Sequence, residues 1–302
     1  MMLSGRGVFL SVASSVLFAV MPVYFNYLEP LSGVQVLAQR IVWSIPIVLL
    51  LVVMTRQGAL LREAIIRLAH EPRLIIALIG STLLVGSQWG VFVWATMAGH
   101  TLDITLGYFL LPLIMVVVGR LFYGEKMRPL YRLAVVFALL GVIHEWWATG
   151  AFSWVTLVSA LGYPPYFMLR RWMKIDALSG FVLEMLCMTP LAVALMYFFN
   201  PAPALAVSPL LWILLPGLGL LSALAFGAMM AASRLLPMGL FGILSYIEPA
   251  LLFFVAILLL DETFLPSQLW TYVPIGIAVV LVCLDSARLL RKQMRRRLQN
   301  IH

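Results

Sequence analysis

Ten blocks of apolar residues, each about the length of one bilayer crossing, constrain this 302-residue chain more than any other feature. A helix needs about 20 apolar residues to cross the hydrocarbon core. Unpaired backbone amides in lipid leave only helices or a closed barrel as spanning structures. Barrel strands alternate apolar and polar residues over about ten positions, whereas residues 251–260 are apolar without interruption. The sequence therefore predicts an all-α integral membrane protein.

Composition excludes the other broad classes of protein. The chain is 63% apolar and 11% charged, whereas soluble domains are about half apolar and about a quarter charged. Too little charge remains to cover a water-soluble globule, and the apolar excess excludes intrinsic disorder. The sequence contains no phosphate loop, zinc-ligand spacing or nucleophile triad, so we expect neither ATP-driven transport within this chain nor hydrolysis in the membrane, and predict no enzyme and no metal site.

Charged and turn residues bound the apolar blocks and give ten predicted spans. In the first half the spans cover residues 7–27, 34–54, 74–96, 103–123 and 130–148. In the second half they cover residues 154–170, 179–199, 210–232, 239–260 and 268–287. We keep the first block as a membrane helix because it is too long for a signal-peptide core and no small-residue cleavage site follows it.

Lysine and arginine favour cytoplasmic loops, so their positions test the number of spans independently. With the N-terminus inside, all of the 20 basic residues except Arg40 fall in cytoplasmic segments. A miscounted span would reverse the side of every later loop, so this distribution supports ten spans with both termini cytoplasmic. The basic tail at residues 288–302 is then expected to contact anionic lipid headgroups and not nucleic acid.

The chain also divides into two halves of five predicted spans each, residues 1–150 and 151–287. Pro112 corresponds to Pro249, since each lies thirteen residues before a glutamate, Glu125 or Glu262. This alignment also places Phe109 on Tyr246. Arg40 corresponds to Glu184, since each lies six residues before a proline. Because five is odd, the second copy enters the membrane inverted. Inverted repeats are a recurrent plan of secondary transporters, whose substrate site lies near the midplane between the halves.

Three charged residues lie within predicted spans: Arg40, Glu184 and Glu248. A charge at the bilayer centre costs about 2.5 to 3.5 kcal/mol on insertion scales, so each needs a partner or a hydrated cavity. The helical rise places Arg40 about 6 Å outside the midplane, Glu248 at the midplane and Glu184 about 7 Å inside it. Arg40 and Glu248 can therefore meet, whereas Arg40 and Glu184 make a poor direct pair.

Two interpretations of these charges remain open on the sequence alone. Arg40 can grip a carboxylate in two places, and Glu248 can accept an amine or titrate in a dry environment, which suits a zwitterionic, amino-acid-like solute. Alternatively, Arg40 and Glu248 form a permanent buried bridge that fixes helix packing, and Glu184 reaches water at the inner end of its span. Tyr108 and Tyr246 lie within four residues of the repeated prolines and are predicted to line the same pocket.

Several runs of residues resemble a known group of transporters. The runs are residues 39–44 (QRIVWS), 106–112 (LGYFLLP) with Gly124–Glu125, and 246–249 (YIEP). They resemble the drug/metabolite transporter superfamily, specifically EamA-type exporters of the RarD-like subgroup, over nearly the whole chain. RarD-like proteins tend to have a small residue where this chain has Glu248, which favours a more polar or cationic solute here.

The resemblance implies two inverted EamA repeats around a central cavity in the bacterial inner membrane, with no bound cofactor. Family members are associated with amino acids, drugs, polar metabolites and opine-type metallophores. We therefore expect export of a small polar metabolite by alternating access, with a titrating Glu248 as a route for proton coupling. Two rivals are a flippase for lipid-linked sugars or other amphiphiles, and a non-transporting scaffold or enzyme subunit. The sequence is compatible with either a monomer or a homodimer.

Overall fold

The computed structural model describes residues 5–124, 129–149, 153–236, 241 and 244–299. Its secondary structure within these residues is helical, and they contain no strand. The helices are α1 (Gly5–Asn26), α2 (Gly33–Met54), α3 (Gly58–His70), α4 (Pro72–Met97), α5 (Thr101–Tyr123), α6 (Pro129–Thr149), α7 (Trp154–Met173), α8 (Ala177–Phe198), α9 (Ala202–Val207), α10 (Leu211–Leu235), α11 (Ile247–Leu259) and α12 (Leu269–Gln299). The protein is an all-α membrane protein, as the sequence predicts.

Six of these helices are long and apolar enough to cross a bilayer: α1, α2, α4, α5, α8 and α10. Two shorter apolar helical stretches are α11 and residues 266–281. The helices α6 and α7 lie over the predicted spans 130–148 and 154–170. The short helices α3 and α9 fall in segments that the sequence assigns to loops.

The helix that carries Glu248 starts later than the sequence predicts. The predicted span covers residues 239–260, of which residues 239, 240, 242 and 243 lie outside the described part of the chain, and α11 begins at Ile247. Pro249 thus lies in the first helical turn, where a missing amide proton breaks no intrahelical hydrogen bond. Glu248 lies in the same turn, at the positive end of the helix dipole. Glu248 therefore lies just after the turn residues Ser245 and Tyr246, at the start of a helix.

Packing between the helices places the two charged helices α2 and α8 against each other. The helix α2 also packs on α10, and α8 on α4. Around them, α1 contacts α10 and α11, while α7 contacts α4 and α5. The helices α5 and α11 meet, as do α6 and α12. The largest hydrophobic core lies among these helices and includes Trp89, Phe92 and Phe226.

A carboxylate from the far end of the chain caps α5. The two oxygens of Glu262 accept hydrogen bonds from the backbone amides of Thr101 and Leu102, at 2.7 and 2.9 Å. The first amides of a helix have no intrahelical acceptor, and a negative charge there is favourable. Glu262 thus fixes the segment between α11 and α12 to the first turn of α5.

Candidate functional site

Arg40 is the central charged residue of the buried helix interface. It lies on α2 with 1% of its surface exposed. Its Nε donates a hydrogen bond to Ser222 Oγ on α10 at 2.9 Å. Its guanidinium carbon lies 4.0 Å from the centre of the Trp89 ring and 5.7 Å from that of Phe92. Cation–π attraction to these rings, strongest with tryptophan, offsets part of the cost of burying the charge.

The hydrogen bonding of Arg40 and Trp89 is incomplete. Within the described part of the chain, Arg40 Nη1 and Trp89 Nε1 are both buried and have no hydrogen-bond partner. An unsatisfied buried donor costs the full desolvation of that group, more for a charged one. Such groups are rare in folded proteins and call for a specific explanation. Two of them on side chains in direct contact make this region the leading candidate for a ligand site.

Glu248 lies near Arg40 without pairing with it directly. No hydrogen bond and no ion pair within 4.0 Å joins the two side chains in the described residues. The two charges are nevertheless close enough to interact electrostatically, and Tyr163 interacts with both. The permanent bridge that the sequence leaves open is therefore not formed as a direct contact in this structure.

Tyr108 packs beside Phe92, the second aromatic ring near the Arg40 guanidinium. Its ring stacks near Phe92 with centroids 6.3 Å apart, and the Tyr163 ring lies 6.2 Å from it. Tyr163 in turn stacks on Phe167 at 5.9 Å. The structure therefore brings Arg40, Tyr108 and Glu248 together around one aromatic cluster.

Tyr246 belongs to a different part of the core. It packs with Leu113, Ala134, Ala138 and Ala278, which lie on α5, α6 and α12. This cluster is separate from the one that contains Tyr108 and Trp89. The structure thus does not place the Tyr246 side chain in the cluster that contains Tyr108 and Trp89.

Glu184 forms a second buried charge centre with its own set of partners. Its side chain is fully buried and accepts hydrogen bonds from Ser81 Oγ at 2.8 Å and Tyr166 OH at 3.1 Å. Arg170 Nη1 lies 3.5 Å from the same carboxylate, and Arg170 Nη2 donates to the Ala177 carbonyl at 2.9 Å. Both carboxylate oxygens are therefore engaged, and the side chain does not reach water. Arg40 and Glu184 are not a direct pair.

Aromatic rings lie between the two charge centres. Trp89, on which Arg40 stacks, meets Phe226 at 5.9 Å. Phe226 meets Tyr166 at 6.5 Å, and the Tyr166 hydroxyl bonds to Glu184. A chain of aromatic rings thus connects the two centres.

Sequence reasoning missed Arg170 as a partner of Glu184. An arginine at the end of a span normally reaches the cytoplasm, so the sequence assigns Arg170 to an inner segment. The structure turns this side chain inward, with only 9% of it exposed. A signal was present at Gly180, where any Cβ atom would overlap the Arg170 guanidinium. Sequence reasoning also took Trp89 as a packing residue, and nothing in the sequence singled out Ser222.

Metal ligands do not cluster in the described residues, where no group of three or more His, Cys, Asp or Glu side chains is found. His144 and Glu145, which the sequence places at the outer end of α6, both contact the Thr271 hydroxyl, at 3.0 and 2.7 Å. These contacts join α6 to α12.

The apolar helices, with charges buried between them, are those of a multi-pass membrane protein, and its relatives show that it belongs to a class of membrane transporters. The chain is 62% identical over 297 residues to the chloramphenicol-sensitive protein RarD of Pseudomonas aeruginosa, covering 98% of this chain and 99% of that protein. It is 35% identical over 283 residues to an uncharacterized transporter of Haemophilus influenzae, covering 93% and 94% of the two chains. The chain belongs to the RarD-like subgroup of the drug/metabolite transporter superfamily.

More distant comparisons are consistent with this placement. Protein RarD of Escherichia coli is 28% identical over 286 residues, which cover 93% of this chain and 95% of that protein. A solved crystal structure matches with a TM-score of 0.60 at 16% identity, covering 94% of this chain and 98% of that one, and shows the fold alone. No protein-family model matches the chain.

Proposed function

We propose that the protein is a secondary exporter of the bacterial inner membrane that moves a small polar, amino-acid-like metabolite by alternating access. The proposed solute is an amino acid, an opine-type metallophore or a drug. The observation that carries the proposal is the buried Arg40 guanidinium, which keeps an unpaired donor beside Trp89 and near Glu248. A solute carboxylate would satisfy Arg40, and a solute amine would face Glu248.

The pattern of helix contacts supports two related halves, residues 1–150 and 151–287. The most extensive contacts between the halves have counterparts when the five long helices of one half are exchanged for those of the other. Thus α1–α10 corresponds to α7–α4, α1–α11 to α7–α5, and α2–α10 to α8–α4. The pairs α2–α8, α5–α11 and α6–α12 each correspond to themselves. Five helices per half would make the repeat an inverted one.

Local geometry supports the same correspondence. Gly124 and Asp261 lie at equivalent distances after Pro112 and Pro249, and their backbones take φ values of +65° and +52°. A residue of positive φ thus follows each helix, directly after α5 and two residues after the end of α11, although positive φ is uncommon for residues other than glycine. We place the ligand site between these halves and keep both termini on the cytoplasmic side.

A ligand shifts the inward and outward states only by binding them differently. In the described state the Arg40 site is buried, so the proposal requires a second state in which it opens. Glu248 provides the route for proton coupling, because its charge lies near Arg40 and the solute amine would contact the same carboxylate. No cofactor is needed for this cycle, and the bilayer is the only partner that it requires besides the solute.

The test of the proposed function compares a deletion strain with its parent. Metabolites secreted by the two strains are measured by mass spectrometry, and a compound that the parent exports and the deletion strain retains is then loaded into proteoliposomes. We expect efflux that Arg40→Gln abolishes at normal protein levels. Scrambling of a lipid-linked sugar with no solute efflux would replace the proposal by a flippase, and no flux of either kind would leave a scaffold.

A further inference from the structure

Two unpaired donors lie side by side in the largest buried cluster. Arg40 Nη1 and Trp89 Nε1 lack hydrogen-bond partners, and the two side chains are 1% and 2% exposed. The guanidinium stacks on the ring of the same tryptophan at 4.0 Å. Helix packing alone does not require two buried N–H groups to remain unsatisfied at one contact.

In the described residues, no group accepts a hydrogen bond from these two donors. The Ser222 hydroxyl already accepts from Arg40 Nε. The rings of Phe181 and Phe226 lie against Trp89, and Phe92 lies on the Arg40 side. The phenylalanine rings have no lone pairs to accept from an indole or guanidinium N–H, and Glu248, whose charge lies nearby, forms no ion pair within 4.0 Å of Arg40 in the described part of the chain. The missing group is therefore an acceptor, and a negatively charged one would also balance the arginine charge.

We infer that Arg40 and Trp89 together form the site for a carboxylate of the ligand, with the guanidinium and the indole N–H as its two donors. This inference rests on the proposed function, since it assigns the anionic end of the transported solute. Trp89 then has two separate roles. Its ring face holds the guanidinium, and its N–H binds the carboxylate.

The two roles of Trp89 can be separated by substitution. Trp89→Phe keeps an aromatic face for the guanidinium but removes the N–H, whereas Trp89→Leu removes both. Arg40→Lys keeps the charge but loses the planar fork of donors. Trp270, which is 71% exposed, provides the matched control as Trp270→Phe.

The experiment follows the indole signals of ¹⁵N-tryptophan protein in lipid nanodiscs by NMR during titration with sodium acetate. Acetamide and sodium chloride titrations serve as the uncharged and ionic controls. We expect the Trp89 signal, identified by its loss in Trp89→Phe, to shift with acetate only. Arg40→Gln should abolish the shift, and Trp270→Phe should leave it unchanged.

Affinity gives the second readout. A hydrogen bond to a charged group corresponds to at least a tenfold change in binding, so acetate should bind Trp89→Phe about tenfold more weakly by calorimetry. If that variant does not fold, dipolar recoupling between ¹³C-carboxyl acetate and the ¹⁵N-indole of the natural protein tests the contact directly.

Other outcomes would overturn the inference. An unmoved Trp89 signal, an equal response to acetamide, or undiminished acetate binding in Trp89→Phe would each exclude the carboxylate site. Such a result together with intact solute efflux would refute the carboxylate site and support the proposed export function. An acetate response without any solute efflux would refute the export function and support the carboxylate site.

Discussion

The ion pair of Arg170 and Glu184 can be used to test how burial changes the contribution of a charged pair to the free energy of unfolding. The side chains are 9% and 0% exposed, and the Glu184 carboxylate also accepts bonds from Ser81 and Tyr166. Removing one partner leaves an uncompensated buried charge, which typically costs about 3 to 5 kcal/mol. Replacing both partners by apolar residues of similar volume removes the desolvation cost together with the attraction.

We therefore predict that Arg170→Met and Glu184→Leu each lower the free energy of unfolding by about 3 to 5 kcal/mol. The double variant should be less destabilised than the sum of the two, with a coupling energy of at least about 2 kcal/mol. Reversible unfolding in mixed detergent micelles, followed by circular dichroism, measures all four proteins of the cycle.

The exposed pair Arg67–Glu71 supplies the control. Its atoms are also 3.5 Å apart, but its side chains are 33% and 53% exposed. Exposed pairs contribute about 0 to 1 kcal/mol, so Glu71→Leu, which leaves the bonds of Arg67 to the Met173 and Lys174 carbonyls in place, should change stability by less than about 1 kcal/mol. Equal effects of Glu71→Leu and Glu184→Leu, or strictly additive effects in the Arg170–Glu184 cycle, would refute the reasoning.

Three further predictions concern separate features of the chain. Glu248→Gln should abolish proton-driven solute accumulation in vesicles at unchanged protein level, and undiminished pumping would remove Glu248 from the coupling. Glu262→Ala should lower the free energy of unfolding by about 0.5 to 2 kcal/mol, because it removes the side-chain cap of α5; increased amide exchange at the start of α5, by mass spectrometry, would locate the effect. Gly180→Ala should destabilise the protein because its methyl group overlaps the Arg170 guanidinium, and an unchanged melting temperature would show that Arg170 has another position available.

The membrane fold was predictable because lipid imposes a length and a composition on every crossing. The apolar blocks located the described long helices to within a few residues at most ends. The start of α11 was not predictable, since Pro249 fits either a kinked span or the first turn of a helix. The sequence therefore indicated one continuous span around Glu248, whereas the structure places this residue in the first turn of α11.

The candidate site was predictable in its charged members but not in their partners. Arg40 and Glu248 stand out because charges are rare in apolar spans. The placement of Tyr246 in another cluster, and the inward turn of Arg170, depend on side-chain directions that spacing along one chain does not fix. Trp89 was the hardest to recognise, because a buried tryptophan usually packs against apolar neighbours and reveals a binding role only through its unpaired N–H.

The bond between Glu262 and the start of α5 limits how the molecule can move. Its two short hydrogen bonds to adjacent amides hold the start of α5 against the segment that follows α11. Sliding α5 along α11 would break both at once, whereas tilting the two helices about that end leaves them intact. The carboxylate therefore favours a pivot over a shear, and the largest displacements should arise at the opposite membrane face.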